Sequence, residues 1–333
     1  MGDSPPGIGP GYDVVIVHYR NVTQVTQLVG QIREWSRPPR HVVVVDNSGE
    51  FVAQPAAMNA AGVHVVDSPG NPGYAAAVNA GLRYLAGTGS EFVLLATQDA
   101  SAAPTAVENL LRCLMAHPEA AVAAPLLLVR SNPKVVFSAG GMIDAKGRTY
   151  HAGFRAPAEQ WVGRPDTDVA WADGAFLLVR KRALDSGGTF REEFFLYFEE
   201  VEIQLRLRLQ GWSVRLVPNA VCSQEPGNFT AYLRVRNRIL LLAMFPHYFD
   251  LRLRFSLLDF ARTCAMALRD RRPSGILWAW RGLQDGRRGI GGKPPRSPLG
   301  GQPTRLGTQH PEAGLIASAN RPAAPAHDER GEA

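Results

Sequence analysis

The sequence predicts an α/β fold built on a mainly parallel sheet. Three observations carry this expectation. Continuous apolar runs rich in Val, the pattern of strands buried on both faces, recur between Tyr12 and Ala100. Segments with apolar residues at helical spacing separate them, so strand and helix alternate. The runs end in polar or turn-forming residues, and such sheets bind ligands at the carboxyl ends of their strands.

The elements follow in order. Residues 1–11 form a Gly/Pro-rich flexible tail. DVVIVHY, Asp13 to Tyr19, is the first strand, and VTQVTQLVGQIREW, Val22 to Trp35, the first helix. HVVVVDNSG, His41 to Gly49, is a second buried strand closing in turn chemistry. GVHVVDSPGNPG supplies a third strand and a loop, and YAAAVNAGLRYLAG, Tyr74 to Gly87, a helix. EFVLLATQDA, Glu91 to Ala100, is the fourth strand, with a helix starting near Pro104. VAAPLLLV and WADGAFLLVRK (Trp171 to Lys181) read as strands, as does SVRLVPNAVCSQ from Ser213 to Gln224. Phe229 to Tyr248 is helical, and basic amphipathic helices continue over 249–271 and 274–288. The expected organisation is a core over 12–245, a basic helical extension over 246–288 and a disordered tail over 289–333, where Pro, Gly, Ala and charge dominate.

Composition narrows the function. Hydrophobic residues make up 45% of the chain and charged residues 20%, as in a globular protein. Cys113, Cys222 and Cys264 form no CxxC pair and no metal-ligand spacing, which favours a reducing compartment. The start lacks a charged n-region and an apolar h-region, and no run is long enough to span a bilayer, so a cytoplasmic location is expected. Between Leu251 and Arg296, ten Arg and one Lys face three Asp, so this segment alone outweighs the net charge of +6. It is either a solvated helical face or a surface for an anionic partner such as a membrane. Nucleic acid is not expected, because the segment has no interleaved aromatics beyond Trp278 and Trp280. A dinucleotide-binding oxidoreductase fails at HYRNVTQ, where GxGxxG would follow the first strand.

Several residues invite chemistry, each beside a plainer structural reading. Asp46, at a strand end, accepts either from a nucleobase or ribose or from its own Asx turn. In NPGYAAAVNAGL, Gly73 permits close backbone approach to a diphosphate, with Asn79 at a polar helix position, or the stretch is simply a tight loop and a well-packed helix. Asp99 in TQDA holds a divalent ion or caps the next helix. Gly174, after Asp173, lets a ligand approach the sheet edge or makes a turn. In FFLYFEEVEIQLRLRLQGW three acids, Glu199, Glu200 and Glu202, stand behind an aromatic run. Apolar neighbours and like charges both raise carboxyl pKa values, so the cluster is either a solvated helix start or a desolvated base.

Taken in order, VVIVHYRN, VVVVDNSG, NPGYAAAVNAGL, LLATQDA, WADGAFLLVRK, FFLYFEEVEIQLRLRLQGW and RVRN resemble family-2 glycosyltransferases of the GT-A fold, from Tyr12 to Leu242. The spacing is most similar to rhamnosyltransferase-type members. The resemblance implies a Rossmann-like nucleotide-diphospho-sugar transferase that inverts the anomeric centre. It implies a dTDP- or UDP-sugar donor, a glycan or lipid-linked acceptor in cell-envelope polysaccharide synthesis, and a Mg or Mn ion. By that pattern Tyr19, Asp46, Gly73, Asn79 and Asp99 bind donor, and Asp99 also holds the metal. Glu200 is the base, and Asp173, Gly174, Glu199 and Glu202 serve the acceptor. The chain departs from the pattern in three places. Glu200 stands where Asp is usual, and Thr97 replaces the first Asp of the metal motif. Ser223 or Gln224 falls where a His is common. A nucleotide-sugar-binding pseudoenzyme is the alternative these departures suggest.

Overall fold

The computed structural model describes residues 11–51, 58, 62–143, 149–225, 230–246 and 252–295, with 252–256 described by backbone alone. A ten-stranded sheet organises the molecule. Its first half is parallel: β1 (Tyr12–His18) lies between β2 (Val42–Asp46) and β4 (Phe92–Thr97), and β3 (Val63–Asp67) borders β2. Every residue of β1 and β2 is buried, which is why these strands read as unbroken apolar runs rather than alternating ones.

Helices cover both faces. On one, α1 (Val22–Ile32) and α3 (Ala106–Ala116) pack Val25, Leu28, Leu110 and Leu114 onto the sheet. On the other, α2 (Tyr74–Tyr84) and α5 (Glu199–Leu209) contribute Ala75, Val78, Ile203 and Leu207. Gly81 lets α2 sit close: a Cβ there would collide with Val15.

The second half of the sheet departs from the parallel expectation. The strand at Trp171 to Lys181 shortens to β11 (Phe176–Arg180), which inserts antiparallel between β4 and β6 (Ala120–Val129). α4 (Lys181–Gly187) follows it directly. β12 (Ser213–Gln224) runs parallel to β6, and β10 (Thr167–Asp168) and β5 (Ser101–Ala102) each pair with β12. β7 (Asn132–Ser138) pairs with β6, and β8 (Gly141–Ile143) forms a separate ladder with β9 (Thr149–His151). Sequence patterning does not foresee β7 to β10, because β8 to β10 are short and all four lean on β6, Trp171, β12 or one another rather than on an apolar period of their own.

Strand order breaks beside β1, and the register aligns His18 with Asp46 and Val17 with Thr97. The carboxyl ends of β1, β2 and β4 therefore share one edge, the usual position of a ligand crevice. α6 (Ala231–Met244), α7 (Arg252–Arg269) and α8 (Ser274–Arg287) pack around Tyr232, Val235, Met266, Trp278 and Leu283. Gly282 and Gly286 let α8 approach the backbone of α6 at Tyr232 and Arg236.

The expected disordered tail needs correction at its start. Residues 289–295 are ordered: Gly292 N–H donates to Glu193 O at 2.6 Å, and Gly291 packs on Glu193. Arg236 reaches out to anchor this segment through Gly292 O at 2.5 Å. Residues 1–10 and 296–333 lie outside the described residues.

Candidate active site

The strand-end edge is held by its own side chains. Asp46 is fully buried. Its Oδ1 accepts from Ser48 N–H, Ser48 Oγ–H and Gly49 N–H, and its Oδ2 from Phe51 N–H, all at 2.8–2.9 Å. Burial pushes its pKa up, but these donors and His18 outweigh that and hold the carboxyl below its ordinary value. Of the two readings open for Asp46, this structure gives it the Asx turn, with both oxygens engaged. A direct contact to a nucleobase is not what this geometry presents.

Gln98 braces the neighbouring strand end. Its Oε1 accepts from Tyr19 N–H at 2.8 Å and lies 2.7 Å from His18 Nδ1, while its Nε2 donates to Tyr19 O. Tyr19 is half-buried, with Arg20 over its ring. Asp99 is half-buried at the same edge, and Arg130 donates to its backbone carbonyl. The position expected for His resolves in favour of Gln224: its Nε2 is 3.4–3.5 Å from both Asp99 oxygens, whereas Ser223 turns toward Ser101 O. Gln224 Oε1 and Thr97 Oγ1 are buried with no hydrogen-bond partner among the described residues.

Gly73 begins α2 at φ 110°, and a Cβ there would run into Phe195 O. Tyr74 N–H donates to that same oxygen at 2.6 Å. The approach of the FFLYFEE loop is by itself enough to require glycine here. Asn79 needs a fuller correction. It is buried, donates to Phe190 O and Glu192 Oε1, and accepts from Phe190 N–H. Its amide secures the chain at 190–192 and does not line the cavity.

The FFLYFEE loop takes an expensive path. Phe195, Tyr197 and Phe198 all have φ between 65° and 73°, a region that costs L-residues roughly 1–2 kcal/mol each. α6 supplies the restraint through RVRN. Asn237 Nδ2 lies 2.8–2.9 Å from the carbonyls of Phe194, Leu196 and Tyr197. Arg236, fully buried, donates to Phe194 O and to Asn237 Oδ1. With the loop so held, α5 starts at Glu199 and points its first turn into a cavity of about 250 Å3.

Tyr74, Asp173, Gly174, Trp171, Glu199 and Glu200 line that cavity, with Gln224 among the residues of its wall. Gly174 lies against Glu200, and Tyr74 donates its hydroxyl proton to Gly174 O at 2.9 Å. Tyr74 is a site residue that the sequence reading passed over, hidden in an Ala-rich helix start. Burial raises Asp173 to about 6, with Asp99 adding to the rise. Burial also raises Glu199, with Asp173 adding, and lifts Glu200 well above the carboxyl range, with Glu199 and Asp173 adding. Glu199 Oε2 has no partner among the described residues.

Glu202 does not belong to this group. It turns away from the cavity and pairs with Arg191 Nε at 3.0 Å and Arg206 NH2 at 2.8 Å. The expectation that it binds acceptor is corrected: one helical step past Val201 puts it on the face toward Arg206.

The model of the glycosyltransferase-like family 2 matches residues 10–240. The chain belongs to that family. This glycosyltransferase is 28% identical over 230 residues to the N-acetylglucosaminyl-diphospho-decaprenol L-rhamnosyltransferase of Mycobacterium tuberculosis, covering 62% of this chain and 73% of the relative. It is 23% identical over 246 residues to the dTDP-rhamnosyl transferase RfbF of Shigella flexneri, covering 69% and 79%. The fold of the glycosyltransferase is that of the Pyrobaculum calidifontis mannosyltransferase solved with GDP-Man and Mn2+, with a TM-score of 0.53 at 15% identity over 85% of this chain and 88% of the other. The GT-A architecture expected from the motifs is the one observed.

Proposed function

We propose that this glycosyltransferase inverts the anomeric centre of a nucleoside-diphosphate sugar, taking rhamnose from dTDP-rhamnose to a hydroxyl of a lipid-linked glycan in cell-envelope synthesis. The observation that carries this reading is Glu200, half-buried on the wall of the cavity beside Glu199 and Asp173. The sugar and the lipid-linked acceptor rest on the printed names of the two relatives.

An inverting transfer needs a base on the face opposite the leaving diphosphate. Glu200 takes the proton of the acceptor hydroxyl as that oxygen bonds to the anomeric carbon and the bond to the nucleoside diphosphate breaks. Its raised proton affinity makes it a stronger base than an ordinary carboxylate once deprotonated. Glu199 and Asp173 hold the rest of the acceptor, and Gly174 leaves room for it. Donor lies along the strand ends at Tyr19 and Asp99, with Asp46 shaping the loop beneath rather than touching the base.

The donor atoms at Asp99 suit a hard divalent cation. Its carboxylate and the unpartnered Gln224 Oε1 are oxygen ligands, the kind Mg and Mn prefer. Among the described residues no group of three or more His, Cys, Asp or Glu gathers, so the protein would contribute few ligands. When bound, the ion would offset charge on the leaving diphosphate. The intact carboxyl cluster supports an active enzyme over the pseudoenzyme alternative.

The basic helices support a peripheral seat on an anionic membrane. Leu257, Leu258, Leu268, Leu277 and Trp280 are exposed on α7 and α8 together with Arg269 and Arg281, and Arg271 and Arg272 are exposed in the turn between the two helices. No helix among the described residues is long and apolar enough to cross a bilayer.

The deciding experiment offers dTDP-, UDP- and GDP-sugars with Mn2+ or Mg2+ and follows thermal stabilisation and donor turnover. Selective stabilisation by dTDP-rhamnose that is lost in Asp99→Ala, with turnover lost in Glu200→Gln, is expected. Stabilisation by no nucleotide sugar would remove the assignment.

A further inference from the structure

We propose that Arg234 and Arg238 form an anion-binding part of the same cavity, and that it holds a phosphate or diphosphate ester next to the acceptor sugar. This rests on the transferase reading of the cavity and specifies its acceptor. The two arginines sit one turn apart on α6 and both line the cavity. Both are buried. Arg236, between them, turns the other way to brace the FFLYFEE loop, so only its two neighbours face the cavity.

The guanidinium groups are oriented in advance. Arg234 NH2 lies 3.3 Å from Asp259 Oδ1, and Arg238 NH1 donates to Thr149 Oγ1 at 2.6 Å. Arg234 is ion-paired with Asp259, yet burying a guanidinium in a largely apolar wall remains costly by desolvation. Its planar fork holds more donors than one partner fills, and it returns most when it also meets phosphate oxygens in pairs. Asp259 of α7 also lines the cavity and pairs with Arg234, while the other lining carboxyls, Asp173, Glu199 and Glu200, hang on a different wall, at the 173–174 turn and the start of α5. Phe137, Tyr150, Trp171 and Tyr197 complete the lining, flat surfaces suited to sugar faces. Donor phosphates are assigned to the strand-end edge at Asp99, so a second anion place in this cavity falls to the acceptor. A ligand bridging the walls presents its hydroxyl to Glu200 and its ester phosphate to the arginines.

The test titrates decyl diphosphate, inorganic diphosphate and the neutral decyl maltoside into the full chain in EDTA by calorimetry. Wild type is compared with Arg234→Gln, Arg238→Gln, Arg238→Lys and Asp99→Ala. Decyl diphosphate is expected to bind, to lose tenfold or more in affinity in each Gln variant, to recover in part in Arg238→Lys, and to be indifferent to Asp99→Ala. No binding, or binding indifferent to both arginines, overturns the proposal. Inorganic diphosphate matching decyl diphosphate would make this a free-anion site and overturn the acceptor assignment. If a Gln variant fails to fold, judged by its urea midpoint, the ratio between Arg238→Lys and wild type decides. Binding of nucleotide sugar with Mg2+ is measured alongside. Its failure would sink the transferase reading of the strand-end edge while the anion result stands separately.

Discussion

The side-chain amide of Asn237 lies 2.8 Å from the carbonyl oxygen of Tyr197, forty residues earlier in the chain. Tyr197 holds a left-handed φ of 71°, and Phe195 and Phe198 share that region. One amide on α6 thus fixes the strained path that delivers Glu199 and Glu200 to the cavity. Asn237→Ala is expected to cost roughly 2–4 kcal/mol, several hydrogen bonds at about 1 kcal/mol each plus buried carbonyls left unpaired. Urea unfolding checks the stability, and kcat should fall with it because the loop no longer holds Glu200 in place.

Gly73→Ala tests the same contact from the other side. The added methyl meets Phe195 O, and φ 110° suits no L side chain. Destabilisation of roughly 1–3 kcal/mol is expected from backbone strain and displacement of the loop. A variant as stable as wild type would show that the loop moves aside freely.

Glu200→Gln and Glu202→Gln should separate chemistry from architecture. Loss of the base is expected to lower kcat by about 100-fold or more while leaving the urea midpoint level or higher. Glu202→Gln weakens pairs with Arg191 and Arg206, which are 44% and 21% exposed, and should cost roughly 1–2 kcal/mol with kcat nearly intact. Measuring both quantities on both variants checks the assignment of Glu202 to structure.

Asp173, Glu199 and Glu200 all have raised pKa values in the folded state. The folded protein then binds more protons than the unfolded chain, so these groups make stability fall as pH rises. The loss begins above the ordinary carboxyl range near 4, passes through about 6 for Asp173, and extends higher for the glutamates. Asp13 and Asp46 are lowered and act oppositely, losing stability as pH falls below that range. Urea titrations from pH 5 to 9 should show the decline, and Glu200→Gln should flatten it. Activity should rise over the same interval as the base loses its proton.

Gln224→His would place an imidazole beside Asp99, where Gln224 Nε2 now lies 3.4 Å from Oδ2. Tighter Mn2+ dependence of donor binding is expected, read by calorimetry with and without metal.

Much of this was legible in the sequence, for physical reasons. The parallel half of the sheet is buried on both faces, so β1, β2 and β4 write themselves as apolar runs. The acidic cluster stood out because three acids behind aromatics conflict with simple burial, and the choice of Glu200 among them came from the family resemblance. What stayed hidden depends on direction. Helical spacing places Asn79 at a polar position but does not say that Phe190 meets it. Three closely spaced glutamates look alike in sequence, yet Glu202 emerges on the opposite side from Glu200. Asp46 satisfied both its readings locally, and only the loop at Ser48 to Phe51 decided between them. β7 and the short strands β8 to β10 carry no alternating period, because neighbouring strands hold them in place.

The brace on the FFLYFEE loop also says where the chain resists being divided. Family likeness ends at residue 240, inside α6, three residues past Asn237. α8 and the Gly291–Gly292 strap close over Arg236 from beyond that point. A protein trimmed to the recognisable family region would keep Asp173, Glu199, Glu200 and Asn237 but lose Asp259 and the contacts of α8 and the strap that hold Arg236. The basic helices are thus no detachable appendage. Shortening the chain before 292 should cost the catalytic loop its order before it touches any association with lipid.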